Sequence, residues 1–404
     1  MNDIRKKPEL LAPAGNWTML RTAVKAGADA VYFGTDKLNM RAKAKNFTLE
    51  SLPEIAKFCK ENNVDSHLTV NSIVFENDLK ELDDVILAAK KAGIDLIICW
   101  DMSVIQKCIE HEMPFCISTQ ASISNSAAAK MYKNMGAKRI VLARECTLDK
   151  IKEIKENTGM EIETFVHGAM CVAVSGRCFM SHHLFSKSAN TGECIQPCRR
   201  EYEIYDPESD RSLLLGEDYV MSPKDLCTIE FIDQLIDAGI DSFKIEGRKR
   251  SPEYIEKVVS TYRKAIDLYF DNKLTDEIRK EMFAELNKVY NRGFSSGFYF
   301  GEPSGDDYAI KYGSSATTKK SYIGKVVNYF KKTNIVHVKL EAGNLAVDEE
   351  VYIIGETTGV VENKIINLIK EEKEIQVGEK GDDITFECEE VVRKGDQVYK
   401  IINV

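Results

Sequence analysis

The chain repeats one short pattern three times, in KAGADAVYFG (25–34), KAGIDLIICW (91–100) and DAGIDSFKIEG (237–247). A looser fourth copy is NMGAKRIVLARE (134–145). In each of the three, a helix-like segment ends, a glycine follows where the chain turns, and an aspartate precedes a run of apolar residues. Glycine suits the turn because it adopts a positive φ without a Cβ clash. The repeats therefore predict helices that alternate with buried parallel strands.

The same alternation extends outward from these repeats along the first part of the chain. Amphipathic segments such as LKELDDVILAAKKAG (79–93) separate short apolar runs. Eight βα units in roughly 250 residues are typical of a TIM-type (β/α)8 barrel, and no GxGxxG turn indicates a dinucleotide-binding sheet. The eight predicted barrel strands are Leu10–Pro13, Ala30–Phe33, His67–Asn71, Leu96–Trp100, Cys116–Ala121, Ile140–Ala143, Thr164–His167 and Ser242–Ile245.

Three further segments complete the predicted organisation. The connection between strands seven and eight is too long for an ordinary βα loop, so we expect a structured insertion at about 171–230 within a barrel domain of residues 1–300. Residues 301–319 are rich in Gly and Ser and predict a linker. Short strands divided by turns fill residues 320–404 and predict a small antiparallel β-barrel.

Composition limits the environment and the partners. Of the 404 residues, 44% are hydrophobic and 29% are charged, which is ordinary for a globular protein. The sequence has no apolar run of about eighteen residues and no apolar signal core at its start, so we expect a cytoplasmic protein without a membrane span. The formal charge of −9 does not indicate a nucleic-acid-binding protein, whose domain is usually basic, although an acidic chain can carry a local basic patch. Local basic clusters occur at Arg199–Arg200 and Arg248–Arg250.

Polar residues collect where the predicted strands end. In a TIM barrel the carboxyl-terminal ends of the strands carry the active site, and residues two apart on a strand face the same side. In EIETFVHG (161–168), Glu163, Phe165 and His167 alternate in this way, and Lys244 and Glu246 do so in FKIEG. The resulting catalytic candidates are Asn71, Gln120, Glu145, Glu163, His167 and Glu246.

Four cysteines crowd the stretch MCVAVSGRCFMSHHLFSKSANTGECIQPCR (170–199), with the spacing C-x6-C-x15-C-x3-C. They are Cys171, Cys178, Cys194 and Cys198, and Cys227 is a further candidate ligand downstream. Disulfides do not suit a cytoplasmic protein. Structural zinc prefers pairs of ligands separated by two to four residues, and only Cys194 and Cys198 form such a pair, whereas an iron–sulfur cluster accepts wider spacing. A cluster, a zinc site and unligated thiols all remain open on the residues alone.

The stretch ETFVHGAMCVAVSGRCFMS (163–181) resembles the signature of the peptidase U32 family, E-x-F-x-x-G-(S/A)-hydrophobic-C-x4-G-x-C-x-hydrophobic-S. ELLAPAG, GADAVYFG, NTGECIQPCR, SPKDL and KIEGR also resemble segments of that family, so the likeness spans roughly residues 9–300. The carboxyl-terminal strands resemble the family's terminal barrel. The residues that match the signature are Glu163, Phe165, Gly168, Ala169, Met170, Cys171, Gly176, Cys178, Met180 and Ser181.

This resemblance implies an RNA-modifying enzyme. One group of the family is similar in chain length and cysteine spacing, and its members convert a tRNA wobble uridine to 5-hydroxyuridine with a requirement for prephenate. The resemblance also implies a [4Fe–4S] cluster held by Cys171, Cys178, Cys194 and Cys198, with Cys227 as the alternative because the fourth ligand varies in a ubiquinone-hydroxylating group. The two carboxylates of prephenate need cations. The candidates at predicted strand ends are Arg41, Arg144, Lys244 and Arg248.

Two other functions stay open. Some U32 members are described as collagenase-like proteases, but the sequence has neither HExxH nor GxSxG. A cysteine protease built on Cys171 and His167 would leave three thiols of the cluster without a role. The second alternative is a non-catalytic iron–sulfur scaffold, or one subunit of a hydroxylase complex with a homologous protein partner. For the RNA enzyme we expect tRNA as the partner, and neither DNA nor a membrane.

Overall fold

The computed structural model describes residues 6–40, 46–174, 177–200, 202–215, 222–309 and 313–404. The strands of its first part are β1 (Glu9–Pro13), β2 (Ala30–Phe33), β3 (Asp65–Thr69), β4 (Leu96–Cys99), β5 (Phe115–Ile117), β6 (Arg139–Val141), β7 (Glu161–Gly168), β8 (Tyr202–Asp206), β9 (Arg211–Leu215), β10 (Asp225–Cys227), β11 (Ser242–Ile245) and β12 (Phe294–Ser295). The α-helices are α1 (Trp17–Lys25), α2 (Leu52–Glu61), α3 (Leu79–Ala92), α4 (Met102–Glu110), α5 (Ser126–Asn134), α6 (Leu148–Thr158), α7 (Met180–Phe185), α8 (Ile232–Asp237), α9 (Pro252–Phe270) and α10 (Asp276–Asn287). In the part of the chain that the structure describes, no helix combines the length and the apolar composition that a membrane crossing needs.

Eight of these strands form a closed parallel barrel. β1 to β7 pair in chain order, and β11 pairs in parallel with both β7 and β1. Helices fill the connections between successive barrel strands. The predicted (β/α)8 barrel is confirmed. β5 is shorter than the predicted strand because the chain turns into a 3-10 helix at Thr119–Ala121.

The repeated Ala-Gly-x-Asp pattern sets the register of neighbouring strands. Gly93, at φ +81°, ends α3 and turns the chain toward β4. The carboxylate of Asp95 then accepts hydrogen bonds from the backbone N–H of Ser66 at 2.8 Å and from its Oγ at 2.7 Å, near the start of β3. Each such bond satisfies a buried backbone donor and fixes one strand beside the next. The other two copies make the same backbone bond, from Leu10 to Asp29 and from Ile162 to Asp241.

The cysteine-bearing insertion lies between β7 and β11, as predicted. It contains α7 and an antiparallel hairpin of β8 and β9. β10 then returns to the barrel and pairs antiparallel with the last residues of β7, with Cys227 opposite His167 and Leu226 opposite Gly168. The insertion is therefore anchored beside the carboxyl-terminal end of β7.

An antiparallel β-domain follows the barrel, as predicted. Its strands are β13 (Thr318–Phe330), β14 (Ile335–Leu340), β15 (Leu345–Ala346), β16 (Glu350–Gly355), β17 (Gly359–Lys364), β18 (Ile369–Lys370), β19 (Lys373–Glu374), β20 (Val377–Gly378), β21 (Asp383–Glu387) and β22 (Gln397–Asn403). Its main sheet has the order β17-β16-β22-β13-β14-β21-β18-β19 and encloses one apolar core, to which Val336 and Phe386 contribute. The division of the chain at residues 300 and 319 remains a prediction. In the structure, backbone bonds from Ser315 and Thr317 tie the connecting segment to the end of α10 and the residues after it.

The β-domain packs against the outer helices of the barrel. Nζ of Lys257 on α9 donates a hydrogen bond to Oε2 of Glu362 on β17 at 2.8 Å. Nζ of Lys25, at the end of α1, donates to the carbonyl oxygen of Val360 at 3.0 Å. The β-domain thus contacts the helical layer that surrounds the barrel.

Candidate active site

A cavity of about 1160 Å³, including its open mouth, lies at the carboxyl-terminal ends of the barrel strands. Its walls come from these strands and from the cysteine-bearing insertion. A concave, mostly apolar site with a few convergent polar groups at this end of a TIM barrel is where activity is expected. The structure brings ten of the predicted residues together there: Asn71, Gln120, Arg144, Lys244, Glu246, Arg248, Cys171, Cys178, Cys194 and Cys198.

Lys244 forms the floor of the cavity and is held by a buried carboxylate. Its Nζ donates to Oε1 of Glu163 at 2.7 Å, and both side chains are more than nine-tenths buried. Nζ also lies 4.6 Å from the centre of the Tyr32 ring and 5.7 Å from that of Phe165. Aromatic faces attract cations. Glu163 and the two rings therefore fix the ammonium group at the base of the cavity, while Glu163 itself lies beneath the cavity lining.

Arg248 lies on the cavity wall beside β3. Its Nη1 donates to Oγ1 of Thr69 at 2.9 Å and to Oδ1 of Asn39 at 3.3 Å. The guanidinium carbon lies 5.9 Å from the centre of the Tyr32 ring. Gly34, within the first repeat, makes room for this arrangement, because a Cβ there would lie 2.7 Å from Nη1 of Arg248. These contacts hold the buried guanidinium against the wall.

Arg144 reaches the cavity from the end of β6. Its guanidinium carbon lies 4.0 Å from the centre of the Phe165 ring, and Nη1 donates to the carbonyl oxygen of Ala169 at 2.6 Å. Its Nε is buried and has no hydrogen-bond partner among the described residues. A guanidinium stacked on a ring presents its N–H groups in a fixed plane. Together with Lys244 and Arg248 it gives the barrel side of the cavity three oriented cations, and Arg199 of the insertion is a fourth cation in the lining.

Two amides and one carboxylate complete the polar wall. Oδ1 of Asn71 accepts the backbone N–H of Met40 at 3.1 Å. Oε1 of Gln120 accepts a hydrogen bond from the hydroxyl of Ser118. The peptide groups of Glu246 are held by a backbone bond and by a tyrosine hydroxyl. These bonds fix the positions from which the three residues face the cavity.

The four insertion cysteines face the same cavity. Burial raises the pKa of the Cys198 thiol, Arg199 opposes that shift, and the other three thiols add to it. The backbone N–H of Gln196 approaches Sγ of Cys194 at 3.4 Å. Thiols that are distant in the sequence therefore lie close enough to influence one another.

The four sulfur atoms are spread more widely than the ligands around one zinc ion. Sulfurs bound at about 2.3 Å to one zinc ion lie within about 4 Å of one another. Among the described residues, one group of three His, Cys, Asp or Glu side chains has its potential ligand atoms within 4.8 Å of one another. That group consists of Glu9, Asp65 and His67, and it contains no cysteine. Thiolates that bind separate irons of a cluster are farther apart than those around a single ion. Among the described residues, the four cysteines are therefore not gathered as closely as the ligands of a single zinc ion.

Arg199, next to Cys198, ties the insertion to the barrel. Its guanidinium donates to the carbonyl oxygen of Pro223 at 2.7 Å, to Oγ of Ser222 at 3.0 Å, and to the carbonyl oxygen of Met170. Burial lowers the pKa of Arg199. Arg199, one of the pair of basic residues noted in the sequence, therefore anchors the insertion. Its position beside the last cysteine is the sequence signal for that role.

Comparison with known proteins decides the family. The model of peptidase family U32 matches residues 15–308. The chain belongs to this family. An uncharacterized protease of Methanocaldococcus jannaschii is 41% identical to it and a collagenase of Porphyromonas gingivalis is 40% identical, each across 97% of both chains. The tRNA hydroxylation protein P1 of Bacillus subtilis is 40% identical across 82% of this chain and 80% of its own. The resemblance carried by the signature is confirmed.

The U32 signature forms one wall of the cavity. Gly168 has φ +105°, and a Cβ there would lie 2.5 Å from the carbonyl oxygen of Glu246. Only glycine allows that combination of φ and close backbone approach. The signature residues that line the cavity are Phe165, Ala169, Met170, Cys171 and Cys178.

His167, which precedes the signature glycine Gly168, does not line the cavity, and this differs from the expected alternation. A bulge in the pairing of β7 with β11 places Phe165 opposite Lys244 but His167 opposite Ile245. An extra residue in one strand reverses the side on which the following side chain points. Burial lowers the pKa of His167 to about 3, so it is a neutral packing residue. Its ring contacts those of Tyr254, Tyr262 and Phe294.

Other candidates of this U32 chain also lie outside the cavity lining. Glu145 is exposed after β6. Cys227 is buried, its sulfur lies 3.8 Å from the Tyr262 hydroxyl, and burial raises its pKa to about 12. It therefore lies in the same buried region as His167, beside Tyr262, and not with the four cysteines that line the cavity. Arg41 lies outside the described residues.

A buried charge network supports the cavity floor of the U32 barrel from below. Arg139 donates to both carboxylate oxygens of Glu9, at 2.6 and 2.9 Å, and to Glu163 at 3.3 Å. Burial alone would raise the pKa of Glu9, but the bonds from Arg139 hold it at about 2. Both carboxylate oxygens of Glu9 already accept hydrogen bonds from Arg139. The close group of Glu9, Asp65 and His67 is therefore part of this charge network. An arginine at the start of the apolar run RIVLA was the sequence signal for it.

Proposed function

We propose that this protein hydroxylates a tRNA wobble uridine to 5-hydroxyuridine, using a [4Fe–4S] cluster and prephenate. The observation that carries the proposal is the meeting of four thiols with Arg144, Lys244 and Arg248 in one cavity at the carboxyl-terminal end of the barrel. The name of the Bacillus subtilis relative, a tRNA hydroxylation protein, supports RNA as the substrate.

The proposed reaction requires an electron carrier. Replacing C5–H of uridine by C5–OH with water as the oxygen source releases two protons and two electrons, so an external electron acceptor must take both electrons, and side chains alone do not perform that exchange. A bound [4Fe–4S] cluster supplies electron transfer at a potential that its surroundings tune. Its ligands would be Cys171, Cys178, Cys194 and Cys198. The N–H of Gln196 beside Sγ of Cys194 is the kind of hydrogen bond that adjusts a ligating sulfur.

The three cations suit a co-substrate with two carboxylates, as prephenate has. Arg144 and Arg248 are planar and lie against aromatic rings, so each suits bidentate binding of a carboxylate. Lys244 adds a point charge at the floor, and Glu163 keeps that ammonium group in place. We expect the co-substrate to lie across these cations, beside the wall that carries the thiols.

A nucleobase reaches such a cavity only when it leaves the stack. An anticodon loop offers unpaired bases, so the energy needed is smaller than in a duplex. Asn71 and Gln120 present amide groups on the cavity wall, which suit hydrogen bonds to the polar edge of uracil. Glu246 also lines the cavity, and we assign it the proton that leaves C5.

Peptidase activity is the second candidate, because the relatives from Methanocaldococcus jannaschii and Porphyromonas gingivalis carry the names protease and collagenase. A cysteine peptidase needs a histidine within hydrogen-bond reach of its thiol. Among the described residues that line the cavity there is no histidine. The bulge in β7 turns His167 away from Cys171 and its neighbours. The cavity therefore supports the RNA enzyme more strongly than the peptidase.

The test uses a bacterial strain whose own tRNA hydroxylation genes are deleted, so that its tRNA lacks 5-hydroxyuridine. Expression of the full chain should restore the nucleoside, measured by mass spectrometry of digested tRNA. Cys178→Ala should abolish both the brown colour of anaerobically purified protein and the modification. Cys388→Ala, in the core of the β-domain, is the control and should keep both. An iron-loaded wild-type protein that leaves tRNA unmodified and cleaves gelatin would overturn the proposal.

A further inference from the structure

The insertion exposes large apolar side chains beside the cavity, namely Phe179, Leu184, Phe185 and Ile195. Phe179 is 72% exposed and directly follows Cys178, which lines the cavity. Large apolar side chains that are exposed together on one segment are candidates for contact with a partner. We call these four residues, together with Arg200 and Lys249, the mouth patch.

The same segment is basic in an otherwise acidic protein. From Cys171 to Arg200 the chain has four Lys or Arg residues and one acidic residue, a formal charge of +3, whereas the whole chain carries −9. The guanidinium carbon of Arg200 lies 4.7 Å from the centre of the Phe185 ring. Nζ of Lys249 donates to the carbonyl oxygen of Cys194 at 3.1 Å, which holds a second cation at the patch. Cations therefore lie among the exposed rings beside the cavity.

We infer that the mouth patch binds the single-stranded RNA that flanks the target base, with bases stacked on Phe179 and Phe185 and phosphates beside Arg200 and Lys249. Aromatic side chains stack on any base and nearby cations bind the phosphates, which is how proteins hold single strands. A protein partner favours an apolar patch with few charges at its centre, and the positive charge here matches RNA better. The inference rests on the proposed function, because it gives that RNA its docking surface.

Stacking at the patch also helps to free the target base. α7 begins at Met180 and ends at Phe185. Phe179 therefore directly precedes this short helix, and Phe185 is its last residue. A base that stacks on Phe179 gives up its stacking contact with the next base of the RNA. That next base then turns out of the strand at a lower cost. Because Phe179 follows a cavity cysteine, the freed base is close to the cavity entrance.

Phe179→Ala and Phe185→Ala test the inference in the iron-loaded full chain. Binding is measured by fluorescence anisotropy with a labelled anticodon stem-loop RNA, and turnover by mass spectrometry of the same RNA. Each variant should weaken binding by about 5- to 150-fold and raise KM by the same factor. Phe185→Ala should leave kcat unchanged, whereas Phe179→Ala should also lower kcat, because the target base then leaves the strand at a higher cost. Phe179→Trp should bind like the wild type. Phe330→Ala removes a ring that is 47% exposed on the β-domain, and this matched control should also bind like the wild type.

Arg200→Ala provides an independent readout. It should weaken binding and reduce the slope of log Kd against log salt concentration by about 0.7, the contribution of one phosphate contact on a single strand. Iron content, visible absorption and thermal unfolding should match the wild type in every variant. That match separates a lost RNA contact from a damaged insertion.

The outcomes distinguish this inference from the proposed function. If the wild-type protein modifies the RNA and Phe179→Ala, Phe185→Ala and Arg200→Ala bind and modify it equally well, the docking surface is overturned and the function stands. If the wild-type protein binds RNA through the patch and makes no 5-hydroxyuridine, the function fails and the docking surface stands. If the variants keep full RNA affinity but lose a protein that copurifies with the wild type, the patch serves a protein partner and the inference fails.

Discussion

The carboxylate of Glu163 accepts a 2.7 Å hydrogen bond from Nζ of Lys244 inside the barrel, and both residues are buried. Lys244 lines the cavity, whereas Glu163 also accepts a bond from Arg139 in the network below. Glu163 therefore joins the buried charges beneath the floor to the cation that a bound carboxylate would meet. Buried charges are tolerated in this way only when each has a partner.

Glu163→Gln should destabilise the protein by about 3–5 kcal/mol, because it leaves Lys244 buried without a carboxylate partner. Urea titration measures the free energy of unfolding. The double variant Glu163→Gln, Lys244→Met should recover much of the loss, since it also removes the unpaired charge. Glu161→Gln removes a more exposed partner of Arg139 and should change stability little. Equal losses in the two single glutamine variants would contradict the role assigned to the buried pair.

Asp95→Ala should destabilise the barrel by about 1–3 kcal/mol in urea unfolding, because two donors of Ser66 lose their acceptor. Lys138 holds the equivalent place in the looser fourth copy of the repeat, where its backbone N–H donates to the carbonyl oxygen of Phe115 at 3.0 Å. That bond does not involve the side chain, so Lys138→Ala should have little effect. A loss as large as that of Asp95→Ala would show that the aspartate side chain has no special role in pairing strands.

The fold can be predicted from the sequence because its signals are local. In each main copy of the repeat, the residues that end a helix, turn the chain and bond the neighbouring strand lie within a few positions, as Gly93 and Asp95 do. Three of the eight strands are identified directly by these copies. The apolar runs between amphipathic helices identify the rest.

The site can be predicted only where strand alternation holds. Lys244 and Glu246 both line the cavity, as their spacing predicts. His167 does not, because a bulge shifts the register, and no residue type in EIETFVHG marks that bulge. The bond between Arg139 and Glu9 joins residues 130 positions apart. An arginine at the start of the apolar run RIVLA indicates a buried cation, but its partner lies across the closed barrel and no local pattern in one sequence identifies it.

Acid should destabilise the fold before most carboxylates are protonated. Burial lowers the pKa of His67 to about 4 and that of His167 to about 3, from an ordinary value of 6.5. Below pH 6.5 the unfolded chain binds protons that the folded chain does not, so stability falls as the pH drops from 6.5 toward 4. Each histidine should contribute a loss on the order of 3 kcal/mol at pH 4. The stabilising effect of Glu9, whose pKa is about 2, is lost only below its ordinary value of 4.5.

His67→Gln checks this assignment because glutamine does not titrate. Urea unfolding across the same pH range should give a shallower dependence of stability on pH than in the wild type. An unchanged dependence in His67→Gln would mean that the folded protein protonates His67 as readily as the unfolded chain does.

Cys198→Ala should lower the iron content of anaerobically purified protein by more than half and abolish tRNA modification. Cys198 lines the cavity with the other three thiols, whereas Cys227 lies in a separate compartment beside Tyr262. Cys227→Ala should therefore keep both iron and modification, with a loss of about 1 kcal/mol in stability from the small space it leaves. Iron and sulfide assays together with visible absorption measure both variants.

The opposite result would have a structural consequence that can itself be measured. If the protein stays brown without Cys198 but loses its colour without Cys227, Cys227 must reach the cavity. It lies opposite His167 in the pairing of β10 with β7, so that pairing would have to open when iron binds. The backbone N–H groups of β10 would then exchange with solvent faster in the iron-loaded protein than in the iron-free protein. With Cys198 as the ligand, β10 stays paired, and its N–H groups should exchange slowly in both forms.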